Sequence, residues 1–299
     1  MHGLLLVDKP AGITSHDVVG RVRRALRTKR VGHAGTLDPF ATGLLVCAIG
    51  QSTRLLQYVN GEPKLYRTRI VFGTATDTDD ATGAVVAQGP PPDWARLDAA
   101  LDLLSGQIEQ VPPDYSAKHV DGERAYAKAR RGERPVLAPV TVNVLRWEVT
   151  ARGADWLEAD IACGGGTYIR SLARDLGLAL GTVAHCAVLR RLASGPLHVD
   201  DATPFDALIP GAEIALMNPH LAMTTLATEV VREDGRAALR VGRQIPATVS
   251  GEQAALVDET GEVIGVATRV PATDQNGEKD DGQDRWQPRV VLLAPDASA

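Results

Sequence analysis

The chain has only three cysteines, Cys47, Cys163 and Cys186, far apart and odd in number. They show neither a disulfide framework nor a zinc spacing, so a reducing cytoplasm is the expected setting. No apolar run approaches the ~20 residues that a membrane helix needs, so no membrane partner is expected. The opening Met1–Asp8 lacks a basic leader and is too short for a signal peptide. Gly164-Gly165-Gly166, between an expected strand and an expected helix, lacks the Gly-Lys-Ser/Thr and G-x-G-x-x-G patterns of nucleotide sites. Asp77–Gly83 looks like a calcium loop but fails the test. Its glycine falls at the seventh place rather than the sixth, and Gln88 stands where a glutamate is required. It is read as a polar turn. Net positive charge is also missing, at −5 overall.

That last absence is local. Residues 224–299 carry 13 acidic and 8 basic side chains, while residues 1–223 carry 24 of each. The acidity therefore lies in the tail. Within the neutral part, Arg21, Arg23, Arg24, Arg27, Lys29 and Arg30 fall in ten residues without one acid, which is enough to contact phosphates. A second basic region holds Lys118, His119, Arg124, Lys128, Arg130, Arg131 and Arg134.

Local patterns place the elements. Gly3–Val7 reads as a buried strand. Thr14-Ser15-His16-Asp17 has capping-box spacing, and a helix with an apolar face of Val18, Val19, Val22, Ala25 and Leu26 should follow to about Arg27. Leu44–Ile49 is apolar and short, and Ser52–Val59 is expected to be helical. Leu65–Phe72 alternates, with Tyr66, Thr68, Ile70 and Phe72 on one face. Helices are expected over Asp93–Ser105, Glu123–Arg131 and about Tyr168–Leu180. Strands are expected over Val140–Thr150, Trp156–Ala162 and Val183–Leu192, with Arg190-Arg191 exposed. Residues 202–223 read as a linker. Beyond Thr224 come short strands with turns at Glu233-Asp234-Gly235, Gly242 and Glu259-Thr260-Gly261. Thr273–Arg285, with five acids and two bases, is expected to be disordered.

The stretch from Arg30 to Leu45, RVGHAGTLDPFATGLL, packs three glycines, His33 and the lone carboxylate Asp38 into one loop. Glycines permit unusual backbone angles and close ligand approach. A single carboxylate suits nucleophilic or general-base work. Asp38-Pro39 also reads as a helix N-cap followed by proline at the first helical position. The whole string resembles the catalytic motif of the TruB-type tRNA pseudouridine synthases. Three further pieces look like that family in the same order: Asp8–Ser15 (DKPAGITS), Lys64–Arg67 (KLYR), and Gly166–Leu172 (GTYIRSL) running on to Leu189–Leu192 (LRRL).

The resemblance implies isomerisation of uridine to pseudouridine at position 55 of the tRNA T loop, with no cofactor and no metal. It implies a catalytic Asp38, Tyr66 stacked on a flipped base, and Arg170 paired with Asp38 so as to lower its pKa. Tyr168 and Leu189 should line the uracil pocket and His33 should contact the T loop. Lys9 and Lys64 are weaker candidates for phosphate or loop contacts. The expected fold is α+β, a mixed and largely antiparallel sheet flanked by helices over residues 1–223, with a basic insertion at about 107–135 that grips RNA. A small β-rich, PUA-like barrel should occupy residues 224–299. The expected partner is the tRNA T stem-loop, and a monomer is expected. The rival reading is a binding module, an RNA chaperone without turnover.

Overall fold

In the computed structural model, residues 1–115, 119–120, 123–124, 131, 137–271 and 282–293 are described. The elements run β1 (Gly3–Lys9), α1 (Ser15–Ala25), β2 (Val31–Ala34), β3 (Thr42–Ile49), a 3₁₀ segment (Gly50–Tyr58), β4 (Lys64–Phe72), β5 (Thr74–Thr76), β6 (Val85–Gln88), α2 (Leu97–Leu103), β7 (Gly106–Gln110), β8 (His119–Val120) and β9 (Glu123–Arg124). They continue with β10 (Val140–Arg152), β11 (Trp156–Cys163), α3 (Ile169–Ala179), β12 (Ala184–Ser194), β13 (Leu197–His198), β14 (Thr203–Pro204), β15 (Ala227–Val230), α4 (Glu233–Arg240), β16 (Ile245–Pro246), β17 (Gln253–Val257), β18 (Val263–Val270) and β19 (Arg285–Val291).

The first sheet is ordered β14-β1-β3-β12-β4-β11-β10-β7, with β13 on β12 and β2 on β3. Among the described residues of this sheet, only the β1–β14 and β3–β12 pairs are parallel. The alternation expected of β4 holds: Tyr66, Thr68, Ile70 and Phe72 are buried while Arg67 and Arg69 face solvent. That strand lies between β12 and β11, where a half-buried period-2 pattern fits a pleated sheet covered on one face. The covering element is α3, whose Leu172, Ala173 and Leu176 enter the same core as Ile70, Leu157 and Ile161. Further along the sheet, over β1 and β3, α1 buries Val18, Val19, Val22 and Ala25 against Leu5, Val7, Leu45 and Cys47. The capping box of α1 forms as its spacing requires: Asp17 N–H donates to Thr14 Oγ1 at 3.1 Å, and Thr14 N–H donates to Asp17 Oδ2 at 2.8 Å.

A second sheet, ordered β15-β17-β18-β19-β16, forms a curled C-terminal half-barrel of PUA-like form. It is anchored through a shared core: Leu55 and Tyr58 of the 3₁₀ segment pack with Met223, Val257, Val266 and Val290. Inside it, the nearly inaccessible Glu229 carboxylate accepts from Thr248 N–H and Oγ1, from Val249 N–H and from Trp286 Nε1.

Several sequence expectations are corrected. Residues 202–223 are not a free linker, because Thr203–Pro204 pairs with β1, Leu208 is buried, and Met217 bridges to Leu4. Glu233–Arg240 is a helix, not a turn. Acids in its first turn and Arg240 in its last suit the helix dipole, and Gly235 lets it pack closely, since a Cβ there would lie 2.7 Å from Val231 Cγ1. The helix expected over Ser52–Val59 does form, as the 3₁₀ segment Gly50–Tyr58. Glu123–Arg124 is a short strand on His119–Val120 rather than the start of a helix, and residues 125–130 of that expected helix lie outside the described residues. The same holds for residues 273–281 of the expected disordered loop, while Arg285 already belongs to β19. Among the described residues no helix is long and apolar enough to cross a membrane.

Candidate active site

The Asp38 loop leaves β2 and enters β3 without forming a helix, so the N-cap reading of Asp38-Pro39 does not hold. The turn after β1 and the first residue of α1 support it from below. Ser15 Oγ accepts from Leu37 N–H at 2.9 Å and donates to Leu37 C=O at 3.1 Å. Gly12 N–H donates to Pro39 C=O at 2.8 Å. Lys9 is fully buried, and its ammonium donates to the carbonyls of Pro10, Ile13 and Pro39. Burial pulls its pKa down to about 8, partly offset by the charges of Asp38 and Asp17. Lys9 is therefore a peg under the loop, with its donors spent on backbone. Buried Leu37 and Ala41 pin the loop on either side of Asp38. Gly43 has φ +97°, and a Cβ there would stand 2.3 Å from Arg191 O, so only glycine lets the loop rejoin the sheet.

Above this loop lies a pocket of about 250 Å³. Asp38, Lys64, Tyr66, Tyr168, Arg170 and Leu189 line it, together with Gly35, Gly166 and Arg191. Six of the eight side chains expected from the sequence thus converge, from β4, β12, the head of α3 and the Asp38 loop. His33, on β2, stands outside the lining. Its Nδ1 is buried without a hydrogen-bond partner among the described residues, and burial, then Arg191, hold its pKa below the usual value. The volume falls under the roughly 300–1,000 Å³ of drug-sized sites and suits one planar heterocycle.

Arg170 Nε meets Asp38 Oδ2 at 2.9 Å. The guanidinium is 4% exposed and is fixed on two more sides, donating to Thr78 C=O at 2.8 Å and Tyr115 C=O at 2.9 Å. Its Nη1 also lies 3.7 Å from Asp80 Oδ2. The sequence pattern missed Asp80. The Asp77–Gly83 segment is the polar turn expected, yet it turns one carboxylate inward, where Oδ1 accepts from Thr78 Oγ1, Thr82 N–H and Thr82 Oγ1. Asp38 is thus not an isolated carboxylate, since Arg170 is shared between two. The expected pKa direction is also reversed. Burial raises the Asp38 carboxyl most, Arg170 pulls it down, Asp80 pushes it up again, and the net lies above the ordinary range.

Two further residues went unrecognised. Gln110, fully buried at the end of β7, clamps Tyr168 by accepting its N–H at 2.8 Å and donating to its C=O at 3.1 Å. Tyr168 is the N-cap of α3 and its side chain makes no capping bond, so the glutamine stands in. Arg191 was read as exposed but is 1% exposed, whereas its neighbour Arg190 lies at the surface paired with Asp8 at 2.7 Å. A charged pair at the end of a strand gives no sequence sign of which member turns inward.

Residues 23–169 match the TruB family pseudouridylate synthase N-terminal domain, and residues 170–212 match the tRNA pseudouridylate synthase B C-terminal domain. The chain belongs to the TruB family. The tRNA pseudouridine synthase B of Gloeobacter violaceus is 42% identical over 89% of this chain and 94% of its own length. That of Corynebacterium aurimucosum is 45% identical over 88% and 90%. The fold is also that of the H/ACA RNP bound to a substrate RNA containing 2'-deoxyuridine, with a TM-score of 0.71, 22% identity, and coverage of 98% of this chain and 86% of that one. In this TruB-family chain the Gly164–Gly166 run takes its place in the turn from β11 to α3, with Gly166 in the pocket wall. Among the described residues no group of three or more His, Cys, Asp or Glu is arranged to hold a metal ion.

Proposed function

We propose that this chain isomerises uridine at position 55 in the T loop of tRNA, flipping the nucleotide into the pocket where Asp38 carries the chemistry without a cofactor. The coarser part follows from family membership: the chain is a pseudouridine synthase, an isomerase acting on tRNA. The finer part rests on one observation, the Asp38–Arg170 ion pair at the floor of a base-sized pocket with Tyr66 in its wall. The reaction moves ribose C1′ from base N1 to base C5, so the base must detach and turn. A stacked base cannot do so, and extrusion into a pocket supplies the room. Asp38, ionised and oriented by Arg170, stands where it can attack the nucleoside or deprotonate the sugar. Tyr66, Tyr168 and Leu189 hold the base, with Lys64 on the wall near its phosphate. His33, kept neutral by burial, packs against the T loop rather than pairing with phosphate. The exposed Arg24, Arg27, Lys29 and Arg30 lead from α1 to this mouth and supply phosphate contacts.

The test is an unmodified tRNA transcript incubated with the enzyme and mapped for pseudouridine. The expected signal is at position 55 alone. Pseudouridine elsewhere, with none in the T loop, overturns the assignment. The same RNA titrated at rising salt should lose affinity steeply, and a flat response would remove the basic stripe from the interface.

A further inference from the structure

Arg191 is the buried charge that the reaction so far leaves unused. It sits on β12 directly across from Tyr66 on β4, so the two side chains share one face of neighbouring strands. Its Nε donates to Leu44 C=O at 2.7 Å and its Nη2 to Gly35 C=O at 2.9 Å, which ties β12 to both ends of the Asp38 loop. The rest of the guanidinium lines the pocket beside Tyr66, whose ionised form its charge favours. Among the described residues it makes no ion pair within 4.0 Å, unlike its chain neighbour Arg190 and unlike Arg170 in the same pocket. A buried cation without a counter-ion is costly. A preorganised cation in a dry site is useful where negative charge develops only during turnover.

We propose that Arg191 is a positioning residue that acts through Tyr66, holding the phenol in the pocket and stabilising the phenolate that exists only between two proton transfers. The steps balance on the groups present. As the C1′–N1 bond breaks, its electron pair stays on N1, which takes the Tyr66 hydroxyl proton and leaves a phenolate beside Arg191. The detached base turns, its C5=C6 π pair forms the bond from C5 to the electron-deficient C1′ beside Asp38, and the phenolate removes the C5 proton so that the C–H pair restores the C5=C6 double bond. Tyr66 ends as it began, and the net change is one proton moved from C5 to N1. Burial pushes the Tyr66 hydroxyl up and Arg191 pulls against it, which fits a group that rests neutral and is charged in passing.

This inference rests on the pseudouridine synthase reading. Failure of that reading shows as absence of pseudouridine from the wild-type reaction, whereas failure of this one shows only in variants. The experiment is single-turnover kinetics with tRNA carrying uridine or 5-deuterouridine at the target. Arg191→Met should slow product formation by about 10²–10³-fold, as loss of one oxyanion-type donor does, with tRNA affinity kept within about threefold. Deuterium at C5 should slow the variant more than it slows the wild type, and the double variant Tyr66→Phe/Arg191→Met should be no slower than Tyr66→Phe alone. Arg191→Lys keeps a charge but not the fork, and should give the same isotope signature with a smaller loss. It serves if the methionine variant does not fold. Isotope sensitivity equal to wild type in either Arg191 variant, or losses that multiply in the double variant, overturns the proposal.

Discussion

Asp38 and Glu229 are two carboxylates set inside the protein, one under the pocket and one within the C-terminal sheet, and their pKa values move in opposite directions. The accessible one is raised. The Asp38 side chain is 36% exposed through the pocket mouth, yet dense protein surrounds it, and burial outweighs the single Arg170 contact. The inaccessible one is lowered. Glu229 is 3% exposed but lies close beneath the surface of a small sheet. Burial is still the largest single influence and pushes it up, but four donors together pull it further down. Contact with solvent and depth in the protein are different quantities. What separates the two sites is donor count: a carboxylate given a full set of donors is held ionised for structure. One given a single cation and a second nearby carboxylate has its charged form disfavoured by burial.

The largest expected effect breaks the functional side of that comparison. Asp38→Asn should lower pseudouridine formation by at least about 10⁴-fold, the scale seen when a central catalytic group is removed, while tRNA affinity survives. Retained turnover would sink the assignment of Asp38. Next comes Arg170→Lys, which keeps the charge but loses the planar fork that reaches Asp38, Thr78 and Tyr115 at once. A loss of about 10²–10³-fold in rate with a small change in affinity is expected, as for other lost orienting contacts. An unchanged rate would take Arg170 out of the site.

How much of this was legible beforehand depends on whether a signal is local. The β4 alternation and the α1 capping box are set by neighbouring residues, and both formed as read. The four motif segments gave the family and six of the pocket's lining residues. What failed was inward or outward orientation of polar groups at turns and strand ends. Lys9, Asp80 and Arg191 are all buried, and each is buried because a distant segment brings carbonyls or a guanidinium to meet it. Gly235 misled in another way. Glycine lowers helix propensity by roughly 1 kcal/mol, and only the packing against Val231 shows why it is there.

The structural side of the comparison predicts a smaller effect on a different observable. Glu229→Gln keeps the shape but replaces an acceptor oxygen with an amide donor facing groups that also donate. A stability loss of about 1–3 kcal/mol is expected from the unsatisfied pair, read as a melting point several degrees lower. Turnover by the folded enzyme should be unchanged. A melting point equal to wild type would show that the four bonds contribute nothing net.

The smallest effect concerns Asp38 again and turns on sign. Its folded-state pKa is raised, so its contribution to stability is fully present below the unfolded carboxylate range and is lost as pH rises through the folded value. Asparagine does not ionise and escapes that loss. Asp38→Asn should therefore melt slightly above wild type at pH 7, and the two curves should converge as pH falls toward about 4, where the wild-type carboxyl is neutral as well. Glu229 has the opposite linkage: its contribution is present above the unfolded glutamate range and disappears as pH falls through its lowered folded value. The Glu229→Gln deficit should accordingly persist at pH 7 and narrow in acid. Paired melting series from pH 7 down to pH 4 should thus show one variant approaching wild type from above and the other from below. An Asp38→Asn curve that lies below wild type at pH 7 would mean that the Arg170 contact outweighs burial, and the contrast between the two carboxylates would collapse.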